Sequence, residues 1–251
     1  MNKIKAIITD LDRTLLRTDK SVSRYTLDIL KKCHERGILI MAASARPMRA
    51  ITDYDNIIKF DGITTLNGGV TILPDRKSEI GIEKKNVKKM ISYFMRYDDA
   101  FISVEASTAI YSNRDVPAWH PILFDRFPQL PDDEYIYKIL VSSTDNALYE
   151  EINGILTDHV YSSIAQKDLI QIMNKKATKW NGIKEMISYY NISSEEVLFF
   201  GDDNDDLEPI IKCGTGVAVS NAIPSVFEAA DKVTTSNDED GVARFIEENI
   251  I

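Results

Sequence analysis

Two apolar runs, one near each end of the chain, stop abruptly at aspartates: "AIITDLDRT" from Ala6 to Thr14, and "VLFFGDDNDD" from Val197 to Asp206. A short, continuous apolar run reads as a strand buried on both faces, the kind found in parallel sheets. Carboxylates at the end of such a strand are costly unless they meet solvent, a cation or a ligand. Whatever fold the chain adopts must give both sets of acids a place to point.

The segments around these runs alternate strand and helix. In "SVSRYTLDILKKCHERG", Leu27, Leu30 and His34 form one helical stripe, with Ser21 or Ser23 able to cap its start and Gly37 to end it. "ILIMAA" reads as a second buried strand ending at Ser44, and Pro47 suits the first turn of a further helix. Near the other end, "TKWNGIKEMISYYN" places Trp180, Ile183, Ile187 and Tyr190 at helical spacing, with Thr178 as N-cap and Asn191 as a stop. "TGVAVSNA" and "KVTTS" read as short strands around a helical "PSVFEAAD", and "DGVARFIEENI" closes as a helix. This alternation predicts an α/β fold, a Rossmann-like core with a parallel sheet, built from residues 1–80 and 176–251.

Residues 81–175 follow a different order. Helices are expected in "KKNVKKMISYFMRY" and "NALYEEINGILT", and strands in "AFISVEA", "AIYSN", "YIYKILVSS", "VYSSIA" and "LIQIM", which together make an inserted α+β domain. The prolines of "VPAWHPILFDRFPQLPDDE" break both ladders and helices, so that stretch is expected to be a loop or a lid-like element.

Composition excludes several classes. Hydrophobic residues make up 44% of the 251, enough for a core, and 30 Lys+Arg against 39 Asp+Glu give a net charge of −9, which disfavours nucleic acid as a partner. No apolar run approaches the roughly 20 residues of a membrane span, and the N-terminus enters a strand directly, so no membrane association and a cytoplasmic location are expected. Cys33 and Cys213 lack any metal-ligand spacing, as do His34, His120 and His159.

In an open parallel sheet, ligands bind beyond the carboxyl ends of the strands. If the first, second and "VLFFG" strands are neighbours, Asp10, Asp12, Ser44 and the Asp202–Asp206 acids converge there, with Lys179 at a nearby helix start. Clustered carboxylates need a cation, and oxygen ligands favour a hard one such as Mg²⁺. A lysine and a serine beside them suit a bound phosphate, which Asp10 could attack while Asp12 manages protons.

The chain resembles the haloacid dehalogenase superfamily of phosphatases, in particular its Cof-type members with the larger cap. The resemblance rests on "DLDRT", Ser44 in "ASARP", Lys179 in "ATKWNGI", "GDDNDD", "TLNGG" and the C-terminal tail, in that order. It implies a magnesium-dependent phosphatase acting on a small phosphorylated metabolite through an aspartyl-phosphate. Asp10 would be the nucleophile and Asp12 the acid/base; Ser44 and Lys179 would hold phosphate; Asp10, the Asp12 carbonyl and Asp202 would hold the metal, with Asp205 and Asp206 in support. Residues 81–175 would be the cap. Three positions depart from the family pattern: Arg13 and Ala45 stand where glycine is usual, and Asp205 where asparagine is. Arg13 is expected to keep a negative φ, since it lacks glycine's freedom. Two rivals use the same acids: a phosphomutase of the superfamily, and a non-catalytic protein that responds to phosphorylation.

Overall fold

The computed structural model describes residues 4–156, 158–165 and 169–251. The chain divides into two compact units, one formed by the chain up to Ser78 and from Thr178 onward, the other by Glu79–Ala177.

In the first unit the chain runs β1 (Ala6–Thr9), α1 (Arg24–Glu35), β2 (Leu39–Ala43), α2 (Thr52–Ile58), β3 (Gly62–Thr65), β4 (Val70–Leu73) and β5 (Arg76–Glu79). The inserted unit supplies α3 (Lys84–Phe94), β6 (Phe101–Ala106), β7 (Ile110–Ser112), β8 (Ile122–Leu123), β9 (Ile136–Ser142), α4 (Asn146–Ile155), β10 (Val160–Ala165) and β11 (Leu169–Asn174). The first unit resumes with α5 (Lys179–Tyr189), β12 (Val197–Gly201), α6 (Leu207–Lys212), β13 (Thr215–Val219), α7 (Pro224–Ala229), β14 (Lys232–Thr234) and α8 (Gly241–Asn249).

The eight-stranded sheet of the first unit has the order β14-β13-β12-β1-β2-β3-β4-β5. From β14 to β3 all pairs are parallel, and β4 turns back antiparallel on β3. Alternation along β1 divides the interior in two. Ile7 joins Ile29, Leu30, Phe245 and Ile246 of α1 and α8 on one face, whereas Ala6 and Ile8 join Ile183, Met186 and Val226 of α5 and α7 on the other. Helices on both faces explain why β1 and β12 are buried throughout.

The helix boundaries follow local chemistry. Ser23 caps α1 by accepting the Thr26 N–H, and Gly37 at φ 75° follows its end. Thr178 caps α5 by accepting the Asn181 N–H, and Asn191 at φ 54° follows its last turn. Pro47 behaves differently from expectation: it precedes a single 3-10 turn, Met48–Ala50, and the helix proper begins at Thr52. The β4 and β5 strands had no reading of their own in the sequence, because "VTILPDRKSE" is short, half polar and broken by a proline.

In the inserted unit a six-stranded sheet of order β10-β11-β9-β6-β7-β8 is antiparallel except for β7 with β8. Its core joins Ile102, Val104, Ile139 and Ile172 to Met90 and Phe94 of α3 and Leu148 and Ile152 of α4. The Pro-rich stretch carries a 3-10 turn at Pro117–Trp119 and the two-residue edge strand β8.

Helix α5 lies close against β3. A Cβ added at Gly182 would stand 2.0 Å from Thr64 Oγ1. Alanine in a helix interior is ordinarily worth about 1 kcal/mol over glycine. Here overpacking reverses the sign, and Gly182→Ala is expected to lower unfolding free energy by about 1–2 kcal/mol. Urea denaturation reads this directly, and a more stable variant would contradict the contact.

Candidate active site

Because β12, β1 and β2 are adjacent and parallel, the residues that follow them emerge along one sheet edge. Asp10 follows β1 with its N–H on Phe200 O at 2.9 Å, and Ser44 follows β2 with its N–H on Thr64 O at 2.9 Å. Asp202 follows β12. Lys179 is the first residue of α5, and the start of that helix is seated by the turn at residues 66–69. Gly68, at φ 89°, approaches so closely that a Cβ there would lie 2.1 Å from Thr178 O. Only glycine meets both demands.

Lys179 Nζ donates to Asp10 Oδ1 and to Asp206 Oδ1, each at 2.6 Å. All three side chains are buried. Asp206 Oδ2 accepts the N–H groups of Asp202 and Asp203, at 3.0 and 3.1 Å, which folds the "GDDNDD" loop around that carboxylate. The Thr14 hydroxyl donates to Asp202 Oδ1 at 2.8 Å. One carboxylate oxygen from each of Asp10, Asp202 and Asp206 lies within 4.8 Å of the others.

The electrostatics express a surplus of negative charge. Burial raises Asp10 well above the carboxylate range, and Asp206 and Asp202 add to the rise against the opposing pull of Lys179. Asp202 is pushed up to about 7, by burial first and Asp206 next. Burial alone would lower Lys179, but Asp10, Asp206 and Asp205 outweigh it and keep the ammonium protonated. Three carboxylates around one ammonium form an all-oxygen donor set with charge to spare, which fits a hard divalent cation.

Asp12 sits apart from this trio. Its carboxylate receives Arg46 Nε at 2.5 Å, Arg46 Nη2 at 2.7 Å and Lys20 Nζ at 2.7 Å. Burial works against ionisation here, but Arg46 and Lys20 together hold Asp12 below the usual carboxylate range. Neither cation was singled out from the sequence. Arg46 stands two residues after Ser44 and had a positional signal, whereas Lys20 lies in a polar loop and had none. Ser44 is buried, and its Oγ accepts the Arg46 N–H at 3.2 Å. Asp205 Oδ2 accepts from Asn67 Nδ2 at 2.5 Å, which links "TLNGG" to "GDDNDD". Asn67 Oδ1 and Thr65 Oγ1 are buried without a hydrogen-bond partner among the described residues.

Arg13 departs from expectation. Its φ is 60°, a left-handed conformation that costs a residue with a Cβ about 1–2 kcal/mol. Two bonds to Asn221 hold it there: the Arg13 carbonyl accepts Asn221 Nδ2 at 2.7 Å, and Arg13 Nη2 donates to the Asn221 carbonyl at 3.1 Å. The guanidinium also lies 3.9 Å from Asp202 Oδ2.

Fold and site together define a hydrolase of the haloacid dehalogenase class. The chain belongs to the haloacid dehalogenase-like hydrolase family, whose model matches residues 7–246. It is 25% identical over 262 residues to a Bacillus subtilis 5-amino-6-(5-phospho-D-ribitylamino)uracil phosphatase, covering 96% of each chain. Its structure is similar to that of a haloacid dehalogenase-like hydrolase from B. subtilis, with a TM-score of 0.86, 20% identity and coverage of 99% and 100% of the two chains. It is also similar to a subclass IIB sugar phosphatase of the superfamily, with a TM-score of 0.81, 23% identity and coverage of 98% and 100%.

A raised carboxyl pKa makes a stability prediction. Between the ordinary carboxylate pKa of 3.8 and about 7, Asp202 binds protons in the folded state that the unfolded chain has released, so folding stability falls as pH rises through that window. Asp202→Asn removes the penalty and leaves the Thr14 hydroxyl an acceptor. In EDTA this variant should melt above wild type by on the order of 5 °C near pH 8, with the gap shrinking toward pH 5. A divalent cation should raise the wild-type Tm and barely move the variant's. A variant that melts lower in EDTA at every pH would show that the carboxylate is not under repulsion.

Proposed function

We propose that the protein is a magnesium-dependent phosphatase that hydrolyses a small phosphorylated metabolite through an aspartyl-phosphate on Asp10. The observation that carries this reading is the convergence of Asp10, Lys179 and Asp206 in one buried hydrogen-bonded cluster, with Asp202 beside it, at the carboxyl end of β1. Relatives named as phosphatases of a ribitylamino-uracil phosphate and of sugars support it. The net charge of −9 agrees with a small diffusible substrate rather than nucleic acid, and the reading places the activity in the cytoplasm.

In the first half-reaction, an Asp10 carboxylate oxygen adds to phosphorus as the ester P–O bond breaks. The departing ester oxygen carries away the bonding pair and takes a proton from Asp12. Lys179 and the Ser44 hydroxyl hold the non-bridging oxygens, which keeps the phosphorus in line with Asp10. In the second half, Asp12, now a carboxylate, takes a proton from water as the water oxygen adds to phosphorus. The bond to Asp10 breaks, which restores the Asp10 carboxylate and frees inorganic phosphate. A Mg²⁺ ion held by the Asp10 and Asp202 carboxylates and the Asp12 carbonyl, with Asp206 and Asp205 close by, supplies charge compensation for the phosphoryl oxygens when bound.

The Arg46–Lys20 clamp keeps Asp12 ionised, which is the form the second half needs. Proton donation in the first half requires the carboxyl to leave the clamp. The inserted unit, residues 79–177 in the structure, serves in this reading as the cap that discriminates among leaving groups.

With an aryl phosphate, whose leaving oxide needs no proton, the two acids separate cleanly. Asp10→Asn should give neither burst nor turnover, and Asp12→Asn should give a burst of aryl alcohol and then stall, with a phosphoryl group on Asp10 seen by mass analysis. Turnover by Asp10→Asn, with no adduct trapped in Asp12→Asn, would overturn the covalent route. Activity should vanish on thorough EDTA treatment and return with Mg²⁺. Asp205→Asn keeps a side-chain oxygen toward Asn67 and should retain most turnover, measured as phosphate release under saturating substrate.

A further inference from the structure

The turn at residues 66–69 touches three segments of the site at once. On the segment after β2, the Leu66 N–H donates to the Arg46 carbonyl at 3.0 Å and the Asn67 N–H to the Ser44 carbonyl at 3.1 Å. Gly68 packs against the Thr178 carbonyl, at the cap from which α5 and Lys179 begin. On the loop after β12, Asn67 Nδ2 donates to Asp205 Oδ2 at 2.5 Å. The sheet order here is β12-β1-β2-β3, and the turn itself follows β3. The Asn67–Asp205 bond therefore joins loops three strand spacings apart, about 14 Å, across the two strands that lead into Asp10 and Ser44.

This arrangement carries two local costs. Leu66, Asn67 and Gly68 are all left-handed, at φ 52°, 54° and 89°, a run that suits glycine, is tolerated by asparagine and strains leucine. Asn67 is 1% exposed, and its Oδ1 has no hydrogen-bond partner among the described residues. The amide cannot turn over to relieve that oxygen, because Oδ1 would then face the Asp205 carboxylate. The carboxylate thus dictates how the amide points, and the unmet acceptor is the consequence. A turn needed only to reverse the chain would do better with glycine at 67, which has no side-chain oxygen to bury and no left-handed penalty. Backbone strain and an unmet buried group, kept together between the segments of a site, point to a task in that site.

We propose that Asn67 is a positioning residue for phosphoryl transfer, an inference that rests on the phosphatase reading. Its amide fixes Asp205 and its backbone fixes the Ser44 segment, so that Ser44, Lys179 and the loop after β12 keep one spacing around the phosphoryl group. Asn67 acts through these neighbours and has no contact of its own with the reacting atoms. Its partner matters electrostatically as well. Asp205 is near enough to Lys179 for its charge to act on the ammonium, and the bond from Asn67 fixes the direction from which that charge acts. The pairing needs one amide and one carboxylate, and in principle either residue could supply either group.

The test measures kcat and KM for phosphate release from phenyl phosphate, with Mg²⁺, in wild type, Asn67→Gly, Asn67→Asp, Asp205→Asn and the exchanged pair Asn67→Asp/Asp205→Asn. Glycine keeps the left-handed turn and deletes the amide, whereas aspartate keeps the shape and sets a carboxylate against Asp205. Both single variants at 67 should lose about 30-fold in kcat with KM within about threefold of wild type, because geometry rather than uniform binding is lost. The exchanged pair again sets one amide against one carboxylate and should return to within about threefold of Asp205→Asn. A role confined to shaping the turn predicts full kcat in Asn67→Gly. That result, or an exchanged pair no better than Asn67→Asp, overturns the inference and leaves the phosphatase reading standing. No phosphate release by wild type takes both down.

Discussion

A single ammonium holds the acidic edge of the first unit together. Lys179 Nζ bridges Asp10 and Asp206 from inside the protein, so the loop after β1 and the loop after β12 are tied at one point. Removing one partner of such a buried pair costs about 3–5 kcal/mol, because the charge left behind has no water to replace it. The rest of the local structure keeps that ammonium in position. Thr178 caps α5, Gly68 lets the neighbouring turn press against the cap, and Asp206 spends its second oxygen on two backbone N–H groups.

One lysine does not neutralise three carboxylates, and the remainder is a store of unfavourable energy. Burial is the first cause of the raised pKa of Asp10 and Asp202, and the like charge of their neighbours adds to it. Asp12 illustrates the alternative within the same loop: matched with Arg46 and Lys20, it is held down rather than pushed up. Two carboxylates one residue apart therefore live in opposite electrostatic settings, one crowded by like charge and one clamped by cations. Environment alone thus moves two neighbouring carboxyls in opposite directions from the same ordinary value.

Most of the parallel sheet was legible in the sequence, because β1, β2, β12 and β13 are apolar runs with helices between them, and period and caps specify both. The convergence of Asp10, Asp202, Asp206 and Lys179 was legible only on condition that β12, β1 and β2 are neighbours, a matter of sheet order that local pattern does not encode. The β5 strand escaped because it sits at the sheet edge, where burial no longer enforces an apolar pattern, and β4, although mostly buried, escaped because it is four residues long, holds a threonine and is followed at once by a proline. Arg46 and Lys20 escaped because a surface-like arginine or lysine shows its partner only in three dimensions. The conformation of Arg13 was misjudged for a related reason: the bonds that hold it at φ 60° come from Asn221, more than 200 positions later in the chain.

The strand that precedes Asp10 is made before the inserted unit, yet it pairs Ala6 with Val197, which follows that unit. Between them lies a contiguous unit with its own sheet and its own hydrophobic core. On the ribosome that unit has all its partners in hand before β12 exists, whereas β1 waits with one side of its backbone unpaired. The first unit thus carries the high contact order of the molecule and the slower closure that goes with it. A nascent chain halted between Ala177 and Val197 holds a complete insert and an unfinished sheet. The acidic edge therefore forms only after β12 has been made and paired with β1.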